Sequence, residues 1–286
     1  MKKILIIFFA LHLSTLANAA DIKTKYISSL SDYLENSLKG NFETVEAELS
    51  SGTSNEVVGS ILVVTPLSEI ENKNPVFFQG SVFFSDDSRE TINLGIGKRQ
   101  LLNNDNLILG TNLFYDHELE YNHQRASIGI EAISSVGSFR ANQYYGLSGW
   151  KTGLNNIEEK PLDGNDFEIG APLPYLPWTN VYFRSFKWEG ASGAANQKGD
   201  EMSLEAKLPF GLNVEVGKRS HDGTTEDNEF MKLTWTCCNK NDDQEKFGIS
   251  DKAYNLTSVA DQRFVKVRRQ NLIVKQKEMS LTVIGF

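Results

Sequence analysis

Few side chains in this sequence stand at spacings suited to covalent or metal chemistry. Gly146-Leu147-Ser148-Gly149-Trp150 has the outline of a nucleophile elbow, the strained turn that presents a serine to a histidine. It lacks the final glycine of that motif and leads into a long polar stretch rather than a helix. His117, His123 and His221 sit in or near turn-rich segments, without the spacing that puts two imidazoles on one helix face. Cys237 and Cys238 are adjacent; a bridge between neighbours is strained, so they read as two small residues closing a strand. Catalysis, a cofactor and a bound metal are not expected.

The charged residues offer a different chemistry. Arg125, Glu131 and Arg140 lie on or beside segments of alternating pattern, as do Glu205 and Glu215, while Arg263, Lys266, Arg268 and Arg269 form a basic run near the C-terminus. Such groups can pair across neighbouring strands. They can also hold a separate segment through charge-assisted hydrogen bonds. The two roles are compatible, and the elements that carry the residues decide between them.

The 286 residues include 29 Lys plus Arg against 37 Asp plus Glu, a net charge of −8. That balance leaves no basic surface for phosphates and argues against nucleic acid as a partner. Lys2 and Lys3, the apolar run Ile4 to Leu16 and the small residues of Ala17-Asn18-Ala19 form a secretory leader over residues 1–19. Without its two lysines the mature chain has 27 basic and 37 acidic residues, a net charge of −10. No cysteine at the cleavage point suggests a lipid anchor. The longest charge-free stretch of the mature chain, Ile169 to Phe183, holds Pro172, Pro174 and Pro177, which excludes a spanning helix.

Residues 20–40 have one short helical period, with Ile22, Tyr26, Leu30, Tyr33 and Leu34 on one face and Gly40 as a stop. Beyond it the apolar period becomes two. Ile92, Leu94 and Ile96 alternate with Asn93 and Gly95; Met202, Leu204 and Ala206 alternate with Ser203 and Glu205. Twelve such segments begin near Phe42, Gly59, Val76, Thr91, Leu107, Arg125, Ser138, Asp166, Val181, Glu201, Leu212 and Phe230. The fold class is all-β, an antiparallel meander over residues 41–238. An average of 16.5 residues per unit (198 residues over twelve segments) suits a tilted membrane strand of about 9–11 residues plus a connection.

Alternation alone does not say which face is inside. A soluble sandwich that binds a ligand would bury the apolar face; a membrane barrel would turn it to lipid. The leader and the even strand count favour the barrel. So do aromatics near strand ends, expected as an interfacial girdle: Phe83, Phe84, Phe114, Tyr115, Tyr144, Tyr145, Trp178, Tyr182, Trp188 and Trp235. Tight turns at Ser85 to Ser88 and Pro209 to Gly211, against long loops at 147–166, 189–200 and 220–229, suggest two rims facing different compartments.

Five stretches add a resemblance. They run Gly95 to Leu102, Gly110 to Leu119 (with Asn112, Phe114 and Asp116), Arg125 to Ala132 (with Gly129), Ala141 to Trp150 (ending Ser148-Gly149-Trp150), and Glu159 to Pro177 (with Pro161 and Gly164). In this order they resemble the β-domain of the inverse autotransporters, the intimin/invasin family, over most of the mature chain. Lys160-Pro161 replaces the usual Arg-Pro. The resemblance implies a twelve-stranded transmembrane β-barrel in the outer membrane, with its N-terminus in the periplasm. Residues 239–286 would be a linker returning through the lumen, and no catalysis is implied. The implied partners are outer-membrane lipid, the barrel-assembly machinery and periplasmic chaperones. The 48 residues after the barrel hold no Ig-like repeat. An adhesive passenger is therefore not expected in this chain, which leaves a bare barrel, a truncated relic, or a separate passenger or surface partner. In that setting Arg125, Glu131 and Arg140 would face the lumen, and Arg263, Lys266, Arg268 and Arg269 would meet Glu131, Glu205 and Glu215. A plain porin-like channel is the alternative.

Overall fold

A computed structural model describes residues 42–53, 57–85, 89–222, 227–237 and 248–278. The leader, the 20–40 helix, Cys238 and residues 239–247 and 279–286 lie outside the described residues. Twelve strands close into one antiparallel barrel. They are β1 (Thr44–Gly52), β2 (Val57–Pro66), β3 (Val76–Ser85), β4 (Glu90–Leu102), β5 (Leu107–Glu118), β6 (His123–Ser134) and β7 (Gly137–Gly146). After the loop strands β8 (Lys151–Thr152) and β9 (Glu158–Pro161) come β10 (Gly164–Leu173), β11 (Leu176–Trp188), β12 (Gln197–Leu208), β13 (Leu212–His221) and β14 (Asn228–Cys237). The seam joins β1 to β14, with Val45 opposite Cys237 and Gly52 opposite Phe230. Each expected strand start falls within five residues of the observed one. Closure satisfies every edge, as hydrocarbon requires.

The burial pattern decides which face is inside. Leu94, Ile96, Leu113, Ile128, Ile130, Met202 and Leu204 point outward and are exposed, while Arg99, Arg125, Asp116 and Asn93 are fully enclosed. A soluble sandwich would show the reverse. An apolar exterior around a polar interior is the membrane-barrel arrangement.

The expected aromatic girdle needs correction. Phe83, Phe114, Tyr144, Tyr182 and Trp188 are buried inside the barrel. In Phe114-Tyr115 and Tyr144-Tyr145 only the second ring is exposed, because adjacent strand residues must face opposite sides. Of these, Phe114, Tyr144 and Tyr182 lie under arginine guanidiniums, and Trp188 packs on Tyr144. Cys237 is also corrected: it is disulfide-bonded.

Two rims differ. One carries the turns at 103–106, 135–136, 174–175 and 209–211; the other carries the loops at 119–122, 147–163 and 189–196. Ser85, the end of β3, and Arg89 stand at the loop rim, and residues 86–88 of the expected tight turn lie outside the described residues. The nine residues 67–75 belong to the turn rim.

Interior glycines make room for large neighbours. A Cβ on Gly129 would stand 2.4 Å from Asn142 Oδ1 and 2.7 Å from Asn112 Oδ1, and one on Gly164 would lie 2.3 Å from the Trp188 ring. These two motif positions are set by packing, not by turn geometry.

Candidate functional site

The lumen is filled by the chain's own linker, residues 248–278. It passes the turn rim, where Ser250 N–H donates to the Tyr175 carbonyl at 2.8 Å and Val259 N–H to that of Asp105 at 2.7 Å. Asn103, Asn104 and Asp105 all take left-handed φ, a conformation Asn and Asp tolerate best after glycine. That turn presents the Asp105 carbonyl to the linker. A short 3-10 turn, Ala260–Phe264, follows. The chain then runs on and ends in β15 (Lys275–Glu278), which pairs with β9 at the loop rim.

An extended segment inside a barrel has no ladder partner, so its backbone polar groups need side chains. The wall supplies them. Arg99 Nη1 donates to the carbonyls of Arg263 and Val265, both at 2.8 Å, and more weakly to Gln262. Arg125 donates to Gln270 at 2.6 Å, Leu272 at 3.1 Å and Asn271 at 3.2 Å. Thr44 donates to the Phe264 carbonyl at 2.9 Å. Gln79 Oε1 accepts from Val267 N–H at 2.8 Å and the Tyr144 hydroxyl accepts from Gln270 N–H at 2.8 Å.

The linker's cations answer the wall's carboxylates. Lys266 reaches Glu46 at 2.6 Å and Glu48 at 3.6 Å. Arg268 bonds Glu168 at 3.0 Å and Glu215 at 3.1 Å, approaches Glu205 at 3.8 Å, and lies over the Tyr182 ring at 3.8 Å. Arg269 binds both oxygens of Asp116, at 2.9 and 2.6 Å, and covers the Phe114 ring. Asp116 also accepts from Arg125 at 2.9 Å, so one fully buried carboxylate joins wall to linker. Three apolar clusters alternate with these pairs, each with a linker member. Val259 packs on Leu101, Ile108 and Ile133; Phe264 and Val267 pack on Leu62, Val64, Phe77 and Phe114; Val274 packs on Tyr144, Leu162 and Trp188.

At the loop rim, Arg89 donates to both oxygens of Glu159, at 2.7 and 2.9 Å, and to Glu118 at 3.2 Å. Lys275 of the linker bonds Glu118 and lies 3.8 Å from Glu159. These bonds latch β9 and β15 to the barrel. Burial favours the neutral Glu159 acid, but the Arg89 hydrogen bonds and the Lys275 charge outweigh it and hold the carboxyl below the usual range. A folded value below the unfolded one, about 4.3, means that the latch's contribution is full above that pH and is lost as pH falls through the folded value. Amide exchange across Lys275–Glu278, corrected for intrinsic rates, is therefore expected to be faster at pH 3 than at pH 6. Equal protection at both would show that the carboxylate contributes nothing there.

Several residues differ from their expected partners. Glu131 pairs with wall residues, Arg99 at 2.7 Å and Arg140 at 4.0 Å, rather than with the linker. Arg140 stands opposite it on β7, and Arg99 of β4 reaches it across β5, where Gly110 leaves the space that Glu131 fills. Arg140 bonds Glu168 at 3.1 Å. Arg263 meets no carboxylate within bonding distance among the described residues; its Nε donates to the Ala260 carbonyl at 2.6 Å within its own turn. Glu205 and Glu215 do face Arg268. Ser148 Oγ accepts from Gln124 N–H at 3.1 Å and Trp150 packs beside Leu162, which gives the serine a structural task. Pro161 lies opposite Lys275 in the β9–β15 pair. Sequence reasoning missed Arg99, Glu46, Glu48, Gln79 and Glu168. Arg99 and Glu168 fall inside the motif stretches, at positions of inward parity, and could have been found there.

A closed twelve-stranded barrel with a polar lumen and an apolar outer face is a transmembrane β-barrel of the outer membrane. Residues 13–271 match the family described as "Inverse autotransporter, beta-domain", and the chain belongs to it. Intimin of Citrobacter freundii is 33% identical over 200 residues, covering 67% of this chain and 21% of that protein. Invasin of Yersinia enterocolitica is 28% identical over 162 residues, 51% of this chain and 19% of its own. The chain thus spans about a fifth of the length of either. A solved structure from work on in-meso crystallization of membrane proteins aligns with a TM-score of 0.69 at 22% identity, over 83% of this chain and all of that one. That likeness concerns the fold.

Proposed function

We propose that this β-domain anchors in the outer membrane and carries its C-terminal segment outward through its own lumen, as a translocator and not as an enzyme. The observation that carries the reading is the seated linker. It enters at the short-turn rim, exchanges hydrogen bonds and ion pairs with wall residues along its course, and emerges paired to a strand of the loop rim. A general diffusion channel has no use for a lumen closed by apolar clusters around Val259, Val267 and Val274. The linker holders are Arg125, Asp116, Glu205, Glu215, Lys266, Arg268 and Arg269, together with Arg99, Glu46 and Glu168. Arg140 and Glu131 support them from within the wall. Assembly machinery and periplasmic chaperones deliver the barrel, and whatever is displayed, in this chain or as a separate partner, follows the linker.

An epitope inserted after Glu278 is expected to be reached by antibody on intact cells, while one inserted at Pro174-Tyr175 needs lysed cells. The opposite pattern would reverse the direction of threading and overturn the reading.

A further inference from the structure

One group at the loop rim takes no part in the latch. His123 is fully buried and neither ring nitrogen has a hydrogen-bond partner. An enclosed imidazole with both nitrogens idle is costly. Its Nε2 stands 3.5 Å from Glu159 Oε2. One ligand atom each from Glu118, His123 and Glu159 lies within 4.8 Å of the others, and all three residues are buried. Around a tetrahedral ion with bonds of about 2.0–2.1 Å, ligand atoms stand roughly 3.3 Å apart, so a small inward movement of Glu118 would complete three corners. An imidazole with two carboxylates suits Zn²⁺, with the fourth corner left to solvent.

The place is held by another cation, the Lys275 ammonium, which bonds Glu118 and faces Glu159. Lys275 comes from the linker, whereas Arg89 precedes β4 and belongs to the wall. With both in place the two carboxylates are balanced, and a further divalent ion is repelled. With Lys275 withdrawn the cluster carries one net negative charge and an open seat. Arg89 can stay, since each Glu159 oxygen keeps a second lone pair for a metal.

We propose that Glu118, His123 and Glu159 form a divalent transition-metal site for which Lys275 is the displaceable competitor, so that Zn²⁺ and the seated end of the linker exclude each other. The proposal needs the seated linker at this rim but not its export, so its failure would leave the translocation reading standing.

The test is calorimetric titration of Zn²⁺ into the full chain in detergent, with folded barrel confirmed by its heat-modifiable gel mobility. Lys275→Gln is expected to bind one Zn²⁺ at least tenfold more tightly than the unaltered chain, and Lys275→Gln/His123→Asn to lose that site. Equal affinity in the unaltered chain and Lys275→Gln would overturn the competition. Retention of the tight site in the double variant would place the metal elsewhere and overturn the assignment. Should the double variant fail to fold, the imidazole NMR signals of Lys275→Gln decide. The His123 ring must shift on Zn²⁺ addition, and an unmoved ring overturns the site.

Discussion

Asp116→Ala is expected to lower the unfolding midpoint of the barrel, read as the temperature at which its compact gel mobility is lost, by more than any other single substitution in the lumen. Asp116 is fully buried and binds Arg125 of the wall and Arg269 of the linker at once. Its removal strands two enclosed guanidiniums, and breaking one partner out of a buried ion pair costs about 3–5 kcal/mol. Arg125 keeps its three linker carbonyls, whereas Arg269 keeps only a weak contact to the Asn271 side chain and its aromatic faces. Arg269→Leu added to Asp116→Ala should therefore recover part of the loss, and a double-mutant cycle would measure the coupling. An unchanged midpoint in the single variant would show that the carbonyl and aromatic contacts suffice.

Arg268→Glu is expected to unseat the linker and turn a closed lumen into a conducting one. Arg268 stands among Glu168, Glu205 and Glu215, and a fourth carboxylate there replaces attraction with repulsion from three sides. Lys232 and Arg140 remain beside Glu215 and Glu168, so the barrel wall should stay folded while the linker loosens. Planar-bilayer recording should show conductance raised roughly tenfold or more with cation preference, because the freed lumen is lined by acidic groups. Glu215→Arg combined with Arg268→Glu restores one pair and should lower conductance again. Silence in the single variant would mean that the three apolar anchors hold the linker without this ion pair.

The fold was largely legible because β-structure writes itself into a period of two. The dyads at Ile92-Leu94-Ile96 and Met202-Leu204-Ala206 lie on observed strands with their apolar members outward. The site was legible in part. The basic run from Lys266 to Arg269 marked the segment that meets the lumen, and Arg125 and Asp116 stood in the motif stretches. Its pairing was not legible, because a sequence records which residues face inward but not which inward carboxylate lies across the lumen from a given arginine. Glu131 illustrates this. It has the right sign and the right face, yet Arg140 on the neighbouring strand and Arg99 two strands away reach it first. The aromatic pairs show the same limit, since proximity to a strand end does not say whether a ring faces lipid or an arginine.

The modest apolar share of 40%, which by itself suggests a soluble protein, follows from a wall that needs hydrophobic side chains only at alternate positions. Strand number, strand placement and family were determined by the sequence alone, since they depend on local alternation and on short motifs. Which face is inside, which carboxylate meets which arginine, and the seating of Lys275 between Glu118 and Glu159 were decided by the tertiary structure. Closure of the barrel brings residues more than a hundred positions apart within hydrogen-bonding distance, and no local pattern encodes a distance of that kind.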